Sequence, residues 1–216
     1  MPSKIFIVRH AESVHNVTKD FSQLDPGLTP LGVEQASSIS HKLPPAADIA
    51  TIISSPLRRA IQTTLTGFSS VLDKRYFDKS SGEGIDGGAT LLLDPDLQER
   101  SDLPCDTGSP ASELAKAFPG LSFDDLGEQW LKKSDRYAPD DEAVRERAER
   151  VRQSLAEIAE SLENEKRKDI VVVTHGVFMK FLTEDQDIDL PKARWKVYTI
   201  QKQGGKVVLV ARDDSI

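Results

Sequence analysis

Cysteine is almost absent from this chain. Its 216 residues contain one cysteine, Cys105, which excludes an internal disulfide and a cysteine-based zinc cluster. Nothing near Cys105 marks it as a nucleophile, so we expect a structural bystander. Long apolar runs are missing as well: none approaches the roughly 20 residues that a membrane-spanning helix needs. The sequence therefore predicts no membrane segment.

Positive charge is also in short supply. The chain carries 28 Lys and Arg against 35 Asp and Glu, a net charge of −7. A nucleic-acid interface needs basic residues clustered on one face, so this balance argues against a nucleic-acid partner. It provides no attraction to anionic lipid either. Any site for an anionic ligand must be built locally from a few side chains.

The first residues lack the pattern of a secretory signal. Residues 1–4 lead directly into the apolar run 5–8, which is too short for a signal core and has no small-residue cleavage site after it. We therefore expect a cytoplasmic protein. The hydrophobic fraction of 38% is ordinary for a packed core. The length fits a single domain over residues 1–216.

Short apolar runs predict strands that are buried on both faces. They cover residues 5–8, 49–53 and 170–173, and residues 91–93 can form a further strand. Residues 195–200 and 207–211 predict a closing hairpin that turns near Gly204 and Gly205. Such a hairpin offers a sheet edge for a dimer, but the oligomeric state stays open.

Apolar residues at helical spacing predict the helices between these strands. The first helix begins at Thr29–Pro30 and is expected to bury one face and stop at Pro44–Pro45; the face consists of Leu31, Gln35, Ile39 and Leu43. Further helices are predicted from Leu57 to Phe68, from Asp140 onward and from Gly176 onward, and residues 80–88 are predicted to form a mobile loop.

Alternating strands and helices predict an α/β fold, a three-layer α/β/α sandwich around a mostly parallel sheet. Proline and glycine interrupt short apolar clusters over residues 100–140. This stretch predicts a cap-like insertion of small helices over the site. Its apolar residues could then cap the pocket and tolerate an apolar or aromatic leaving group, although composition does not decide the substrate; they are Phe118, Phe123, Leu126 and Trp130. For Trp130 and Trp195, packing is the favoured role.

Two of the four histidines follow predicted buried strands. His10 comes after the run 5–8, with Arg9 beside it, and His175 comes after the run 170–173. Sites in such sheets lie at the carboxyl ends of the strands, so these side chains are expected to share one pocket. A neutral imidazole is a competent nucleophile toward phosphorus. Phosphoryl transfer to histidine is the simplest chemistry for this arrangement.

Five segments, in order, resemble the histidine phosphatase superfamily, the phosphoglycerate mutase-like proteins. They are Arg9-His10-Ala11-Glu12-Ser13 with Asn16; Leu28-Thr29-Pro30-Leu31-Gly32; Ser54-Ser55-Pro56-Leu57-Arg58-Arg59-Ala60; Leu97-Gln98-Glu99; and Val173-Thr174-His175-Gly176. The resemblance runs from residue 4 to about residue 184. It implies a metal-independent phosphatase that uses no organic cofactor.

The resemblance implies a role for each matching residue. His10 is the nucleophile, Arg9 and Arg59 fork onto phosphoryl oxygens, and His175, protonated when substrate is bound, adds a donor. Glu99 protonates the leaving oxygen. Substrate-binding candidates are Asn16, Arg58 and Arg100, and His15 is a candidate for the entrance. A metal site is not expected, because the histidines lack an i, i+4 pair or a carboxylate cluster.

Two details of the nucleophile are open to test. The arginine-lined pocket should lower the pKa of His10, and its second ring nitrogen should donate to a backbone carbonyl. Ala11 stands where the family has glycine. A positive φ at that position would strain alanine by roughly 1 kcal/mol.

Hydrolysis is favoured over mutase chemistry. The mutases follow their glutamate with Arg-His-Tyr-Gly, whereas Glu99-Arg100 precedes Ser101 here, and Val177 stands where they have asparagine. The predicted substrate is a small phosphomonoester. A phosphoprotein substrate, a phosphoglycerate mutase-type phosphotransferase and a catalytically idle phospho-ligand or protein-binding protein remain alternatives.

Overall fold

The computed structural model describes residues 2–43 and 48–212. Six strands in this part of the chain form one sheet in the order β3-β2-β4-β1-β5-β6. They are β1 (Ile5–Arg9), β2 (Ile49–Ser54), β3 (Thr90–Leu93), β4 (Asp169–Thr174), β5 (Trp195–Gln203) and β6 (Lys206–Ala211). Only β5, among these, runs against the others. The predicted mostly parallel sheet is confirmed.

Helices cover both faces of this sheet. They are α1 (Val14–Thr18), α2 (Pro30–Ser37), α3 (Arg58–Gly67), α4 (Ala111–Ala117), α5 (Asp141–Ser161) and α6 (Gly176–Thr183). On β1, Phe6 and Val8 pack with α2 and α3, while Ile5 and Ile7 pack with α5 and α6. Successive strand side chains point to opposite faces, which explains the continuous apolar run. The three-layer α/β/α sandwich is confirmed.

The predicted extent of the first helix is wrong, and its predicted buried face is right only in part: Ile39 is fully buried and Leu43 packs on the core, but both follow the end of the helix. Helix α2 ends at Ser37, and Leu31 is 50% exposed. Its buried face consists of Gly32 and Ala36, because a Cβ at Gly32 would lie 1.9 Å from the Glu12 carbonyl oxygen. The hydroxyl of Ser37 donates to the Val33 carbonyl, a bond that competes with the helix. The predicted stop at Pro44–Pro45 lies outside the described residues.

The stretch 100–140 contains α4 and several short 3₁₀ turns, as predicted. Its apolar residues pack on Leu57 and Ile61 of α3 to form a third core cluster. Trp130 is fully buried there, and a Cβ on Gly108 would lie 1.8 Å from its ring. The indole ring therefore packs directly against the backbone at Gly108.

The remaining connections agree with the sequence. Strands β5 and β6 form the predicted hairpin, and Gly204 and Gly205 turn it with positive φ values of 56° and 83°. Residues 80–88 contain no helix or strand. In the described part of the chain, no helix combines the length and the apolar character that a membrane crossing requires.

Candidate active site

Strands β1 and β4 place two histidines side by side. The strands pair in parallel with Arg9 opposite Thr174, and the His10 backbone N–H donates to the Thr174 carbonyl at 2.9 Å. The two imidazole centroids therefore lie 5.0 Å apart. His10 is 3% exposed and His175 is fully buried. The structure places the two rings side by side as predicted, but only His10 is among the residues that line the cavity, so a role for His175 in the pocket stays a prediction.

The His10 ring has a fixed tautomer. Its Nδ1 lies 2.6 Å from the Ala11 carbonyl oxygen, which can only accept, so Nδ1 carries the proton. Nε2 is then unprotonated, and its lone pair accepts a long hydrogen bond of 3.4 Å from Arg59 Nε. Burial lowers the pKa of His10 well below its ordinary value, and the charges of Lys192 and Arg59 lower it further. Both predictions about this ring are confirmed, with burial as the main cause of the shift.

Ala11 fits the turn after β1 without strain. It is fully buried, its N–H donates to Thr63 Oγ1 at 3.0 Å, and it is not among the residues with positive φ. Alanine in place of glycine therefore introduces no left-handed backbone strain at this position.

His175 follows β4 and lies fully buried beside His10, but it is not among the residues that line the cavity. Its Nε2 lies 2.8 Å from Ser55 Oγ, and its buried Nδ1 has no hydrogen-bond partner among the described residues. Burial lowers the pKa of His175 well below its ordinary value, and the charge of Arg59 lowers it further. The ring is neutral in the free site, so protonation on substrate binding stays a prediction.

Residues of the stretch 100–140 hold the Arg59 side chain in place. Its side chain is 1% exposed; NH1 donates to the Cys105 carbonyl at 2.6 Å and NH2 to Asp106 Oδ1 at 2.7 Å. The Ser101 hydroxyl donates to the other Asp106 oxygen at 2.6 Å. Cys105 thus contributes its backbone, and burial raises the pKa of its thiol to about 11. Sequence reasoning missed Asp106, because nothing in its local pattern distinguishes it from surface acids nearby.

Arg9 is fixed by the segment that precedes β5. Its NH1 donates to Asp189 Oδ1 at 2.8 Å and to the Leu190 carbonyl at 2.5 Å. A Cβ on Gly176 would lie 2.9 Å from the guanidinium, so a larger residue there would have to displace the Arg9 side chain.

Glu99 lies against the N-terminus of α6. Its Oε1 accepts from the backbone N–H groups of Phe178 and Arg100 at 2.9 and 2.8 Å, and its Oε2 accepts from Val177 at 3.1 Å. Helix N-termini present unpaired N–H groups that suit a carboxylate. The sequence placed Glu99 near the histidines without indicating this anchorage.

These side chains surround a cavity of about 250 Å³. Its lining consists of Arg9, His10, His15, Asn16, Phe21, Arg59, Glu99, Ser101, Leu103, Cys105, Asp106, Gly176 and Lys192. Asn16 Nδ2 lies 3.0 Å from His15 Nε2. Sequence reasoning missed Lys192 and Phe21, since both lie in irregular segments outside the recognisable motifs.

Two predicted substrate-binding arginines lie outside the cavity lining. Arg58 Nε donates to Ser109 Oγ at 3.0 Å, and its guanidinium lies 3.7 Å from the buried Asp25 carboxylate. Arg100 pairs with Asp141 at 2.7 Å and donates to the Pro139 carbonyl. Their guanidinium groups are engaged in these contacts, so the predicted substrate contacts of Arg58 and Arg100 are corrected to structural ones.

The predicted apolar cap is also corrected. Phe118, Phe123, Leu126 and Trp130 belong to the core cluster on α3, and none of them lines the cavity. Burial against Leu57 and Ile61 removes these side chains from water more completely than a pocket rim would. The predicted packing role of Trp130 is confirmed, and Phe21 is the aromatic residue that faces the cavity.

One group of side chains in the cavity has metal-ligating types. His15, Cys105 and Asp106 have ligand atoms within 4.8 Å of one another. Burial lowers the pKa of His15 to about 4, so its imidazole is neutral, but the Cys105 thiol stays protonated. Arg59 already pairs with Asp106 and repels a cation at this point. The donor set therefore suits a cation poorly.

Known proteins and a protein family resemble this chain in sequence. A family model described as the histidine phosphatase superfamily (branch 1) matches residues 5–70 and 82–214. A probable phosphatase of Schizosaccharomyces pombe is 28% identical over 202 residues, covering 87% of this chain and 83% of the relative. A phosphoglycerate mutase-like protein of Arabidopsis thaliana is 29% identical over 204 residues, covering 81% and 68%.

Solved structures share the fold at lower identity. A mycobacterial glucosyl-3-phosphoglycerate phosphatase bound to VO₃ superposes with a TM-score of 0.59 at 20% identity, covering 97% of each chain. An Entamoeba histolytica phosphoserine phosphatase variant bound to phosphoserine gives 0.53 at 20% identity, covering 96% of this chain and 94% of the other. Both support the α/β/α architecture.

Proposed function

Because this chain belongs to the histidine phosphatase superfamily (branch 1), we propose that it hydrolyses small phosphomonoesters through a phosphohistidine on His10. One observation carries the proposal. The Ala11 carbonyl holds the proton on Nδ1, which leaves the Nε2 lone pair of a neutral ring beside Arg59. A nucleophile and a phosphoryl-binding cation thus meet at one point of the cavity.

In the first step, the His10 Nε2 lone pair forms a bond to phosphorus as the bond from phosphorus to the leaving oxygen breaks. Glu99, as its carboxylic acid, gives its proton to that oxygen, and the alcohol departs. In the second step, water attacks phosphorus, its proton passes to Glu99, and the P–N bond breaks. Inorganic phosphate leaves, and His10 and Glu99 return to their starting states.

The cationic side chains act mainly by stabilising the charge of the transition state. The transferred group spreads negative charge over three equatorial oxygens, and catalysis consists mainly of positioning and charge stabilisation. Arg9 and Arg59 are anchored by Asp189 and Asp106, so their unused N–H groups keep a fixed direction toward the cavity. Such preorganised donors need no rearrangement when the charge develops. Asn16 adds a neutral donor at the entrance.

Hydrolysis is the favoured outcome for the phosphoenzyme. A mutase must also hold a second phosphate, and Arg100, which pairs with Asp141 outside the cavity, is not available to bind it. The S. pombe relative is named a probable phosphatase, which agrees with hydrolysis. The small cavity favours a compact metabolite, and the cytoplasmic location stays a prediction from the sequence.

The test is phosphate release from a panel of phosphomonoesters in the presence of EDTA. We expect wild-type turnover to persist in EDTA and to vanish in His10→Ala. His41→Ala is the matched control, because His41 is exposed, and it should keep wild-type rates. Loss of turnover in EDTA would contradict the metal-free mechanism. Equal rates in His10→Ala and wild type would contradict the nucleophile.

A further inference from the structure

The segment between α6 and β5 brings an additional cation to the site. Lys192 lies in this segment and lines the same cavity as His10, Arg9 and Arg59. Two main-chain bonds fix its neighbours to β1: Arg9 N–H donates to the Arg194 carbonyl at 2.9 Å, and Ala193 N–H donates to the Arg9 carbonyl at 3.1 Å. The segment therefore moves with the strand that positions the nucleophile.

The backbone beside Lys192 is held in an unusual conformation. Ala193 has a φ of 56°, a left-handed value that residues other than glycine rarely adopt. Ala193 is also 4% exposed, so packing maintains this turn. The turn places Lys192 on the cavity side, next to residues that already hold Arg9.

The Lys192 ammonium has no counterion. No hydrogen bond or ion pair joins its Nζ to any of the described residues. Burial and the charges of Arg9 and Arg59 lower the pKa of Lys192 to about 7, while Glu99 and Glu12 oppose that effect. After burial, Lys192 is the largest cause of the lowered pKa of His10, ahead of Arg59. Its charge therefore acts close to the His10 ring.

We propose that Lys192 is a third cationic ligand of the transferred phosphoryl group and donates to one of its non-bridging oxygens. This inference rests on the proposed phosphatase function and adds a catalytic residue to it. A bound phosphomonoester supplies the negative charge that Lys192 lacks in the free site. Lys192 is partly buried and makes no ion pair with the described residues, so its ammonium gains a partner when substrate arrives.

The proposal has a defined pH dependence. In the free enzyme Lys192 carries its charge below a pKa of about 7 and loses it as the pH rises through that value. The charged groups around it are Arg9 from β1, Arg59 from α3, Glu99 before α6 and Glu12 after β1, with His10 and His175 neutral. The kcat/KM of the wild type should therefore fall on the alkaline side of neutrality.

The lowered pKa of Lys192 also affects the stability of the folded protein. The folded-state pKa of Lys192 lies below its unfolded value, so the unfolded chain binds the extra proton more tightly. The destabilisation that this group causes is fully present below about pH 7, and it disappears as the pH rises toward the unfolded pKa. Lys192→Met should therefore have a Tm at neutral pH equal to or above that of wild type. Its loss of activity cannot then be ascribed to unfolding.

The experiment compares wild type, Lys192→Met and Lys192→Arg over a pH series that spans neutrality, with p-nitrophenyl phosphate as substrate and orthovanadate as inhibitor. Lys196→Met is the control, because Lys196 pairs with Asp185 outside the cavity lining. We expect Lys192→Met to lose about 10²-fold in kcat/KM, by analogy with removal of one transition-state donor. It should also bind vanadate more weakly and lose the alkaline fall. Lys192→Arg should keep most activity and shift that fall to higher pH.

Three outcomes would overturn the inference. Wild-type kcat/KM and vanadate affinity in Lys192→Met, with His10→Ala inactive, would refute the Lys192 role alone. Reduced activity in Lys192→Met with the alkaline fall unchanged would assign Lys192 a structural role. Failure of wild type to release phosphate from any substrate would refute the proposed function, and this inference with it.

Discussion

At the residue scale, the site depends on which atom of each side chain stays free. His10 commits Nδ1 to a carbonyl and keeps Nε2, and Arg59 commits two N–H groups to the insertion. Glu99 is held by three backbone N–H groups, so its position is fixed even though its side chain is polar and flexible. The proposed proton transfer relies on that position.

Replacing Glu99 tests the proton transfer through the leaving group. Glu99→Gln keeps the size but cannot give up a proton, so kcat/KM for an alkyl phosphate should fall about 10²- to 10⁴-fold. The loss for p-nitrophenyl phosphate should be much smaller, because p-nitrophenolate leaves without protonation. Glu113→Gln is the control, since Glu113 pairs with Arg58 away from the cavity lining. Equal losses for both substrates would contradict an acid role.

The residues that sequence reasoning found share one property. His10 and His175 follow buried strands, and parallel strands end at one edge of a sheet. Arg59 and Glu99 were assigned by the family resemblance. Lys192 and Asp106 were missed because they reach the cavity from irregular segments, where the site depends on the path of the chain rather than on a period or motif.

At the element scale, α5 supports the loop that carries Glu99. Arg147 on α5 is fully buried, and its NH1 donates to the carbonyls of Asp96 and Gln98 at 3.1 and 3.0 Å. Its guanidinium lies 4.8 Å from the centroid of the Phe178 ring on α6. One side chain thus connects α5, the segment before Glu99 and the helix whose N-terminus holds Glu99.

Arg147→Met should disturb this connection without touching the cavity. We expect kcat/KM for an alkyl phosphate to fall more than for p-nitrophenyl phosphate, in the same direction as Glu99→Gln. Leu155→Ala is the matched control: it removes buried volume from the same helix and should cost about 2–5 kcal/mol of unfolding free energy. Its kcat/KM should be unchanged wherever it is folded. The same substrate ratio in Arg147→Met and wild type would remove the positioning role.

The strands and helices could be predicted from the sequence where their burial follows a regular pattern. Strands β1, β2 and β4 are buried on both faces and read as continuous apolar runs, and α5 opens with Asp140 accepting from Glu142 and Ala143 N–H groups. The first helix was mispredicted because its close approach to Glu12 selects small Gly32 over apolar Leu31. Spacing alone does not show which neighbours come that close.

At the scale of the whole molecule, an acidic chain brings three of its 28 lysine and arginine side chains to one cavity. The net charge is −7, yet Arg9, Arg59 and Lys192 converge around His10 from β1, α3 and the segment before β5. The insertion completes the wall through Cys105 and Asp106, while its apolar residues pack on α3. The fold therefore builds locally the anion site that overall composition does not supply.

The central claim is that the phosphoryl group passes through His10. The most direct measurement mixes enzyme with substrate, quenches it rapidly in alkali, which preserves phosphohistidine, and locates the phosphoryl group by peptide mass spectrometry. We expect phosphate on His10 in wild type, forming at least as fast as product appears, and none in His10→Ala. A phosphoryl group on any other residue, or steady turnover in His10→Ala, would contradict it.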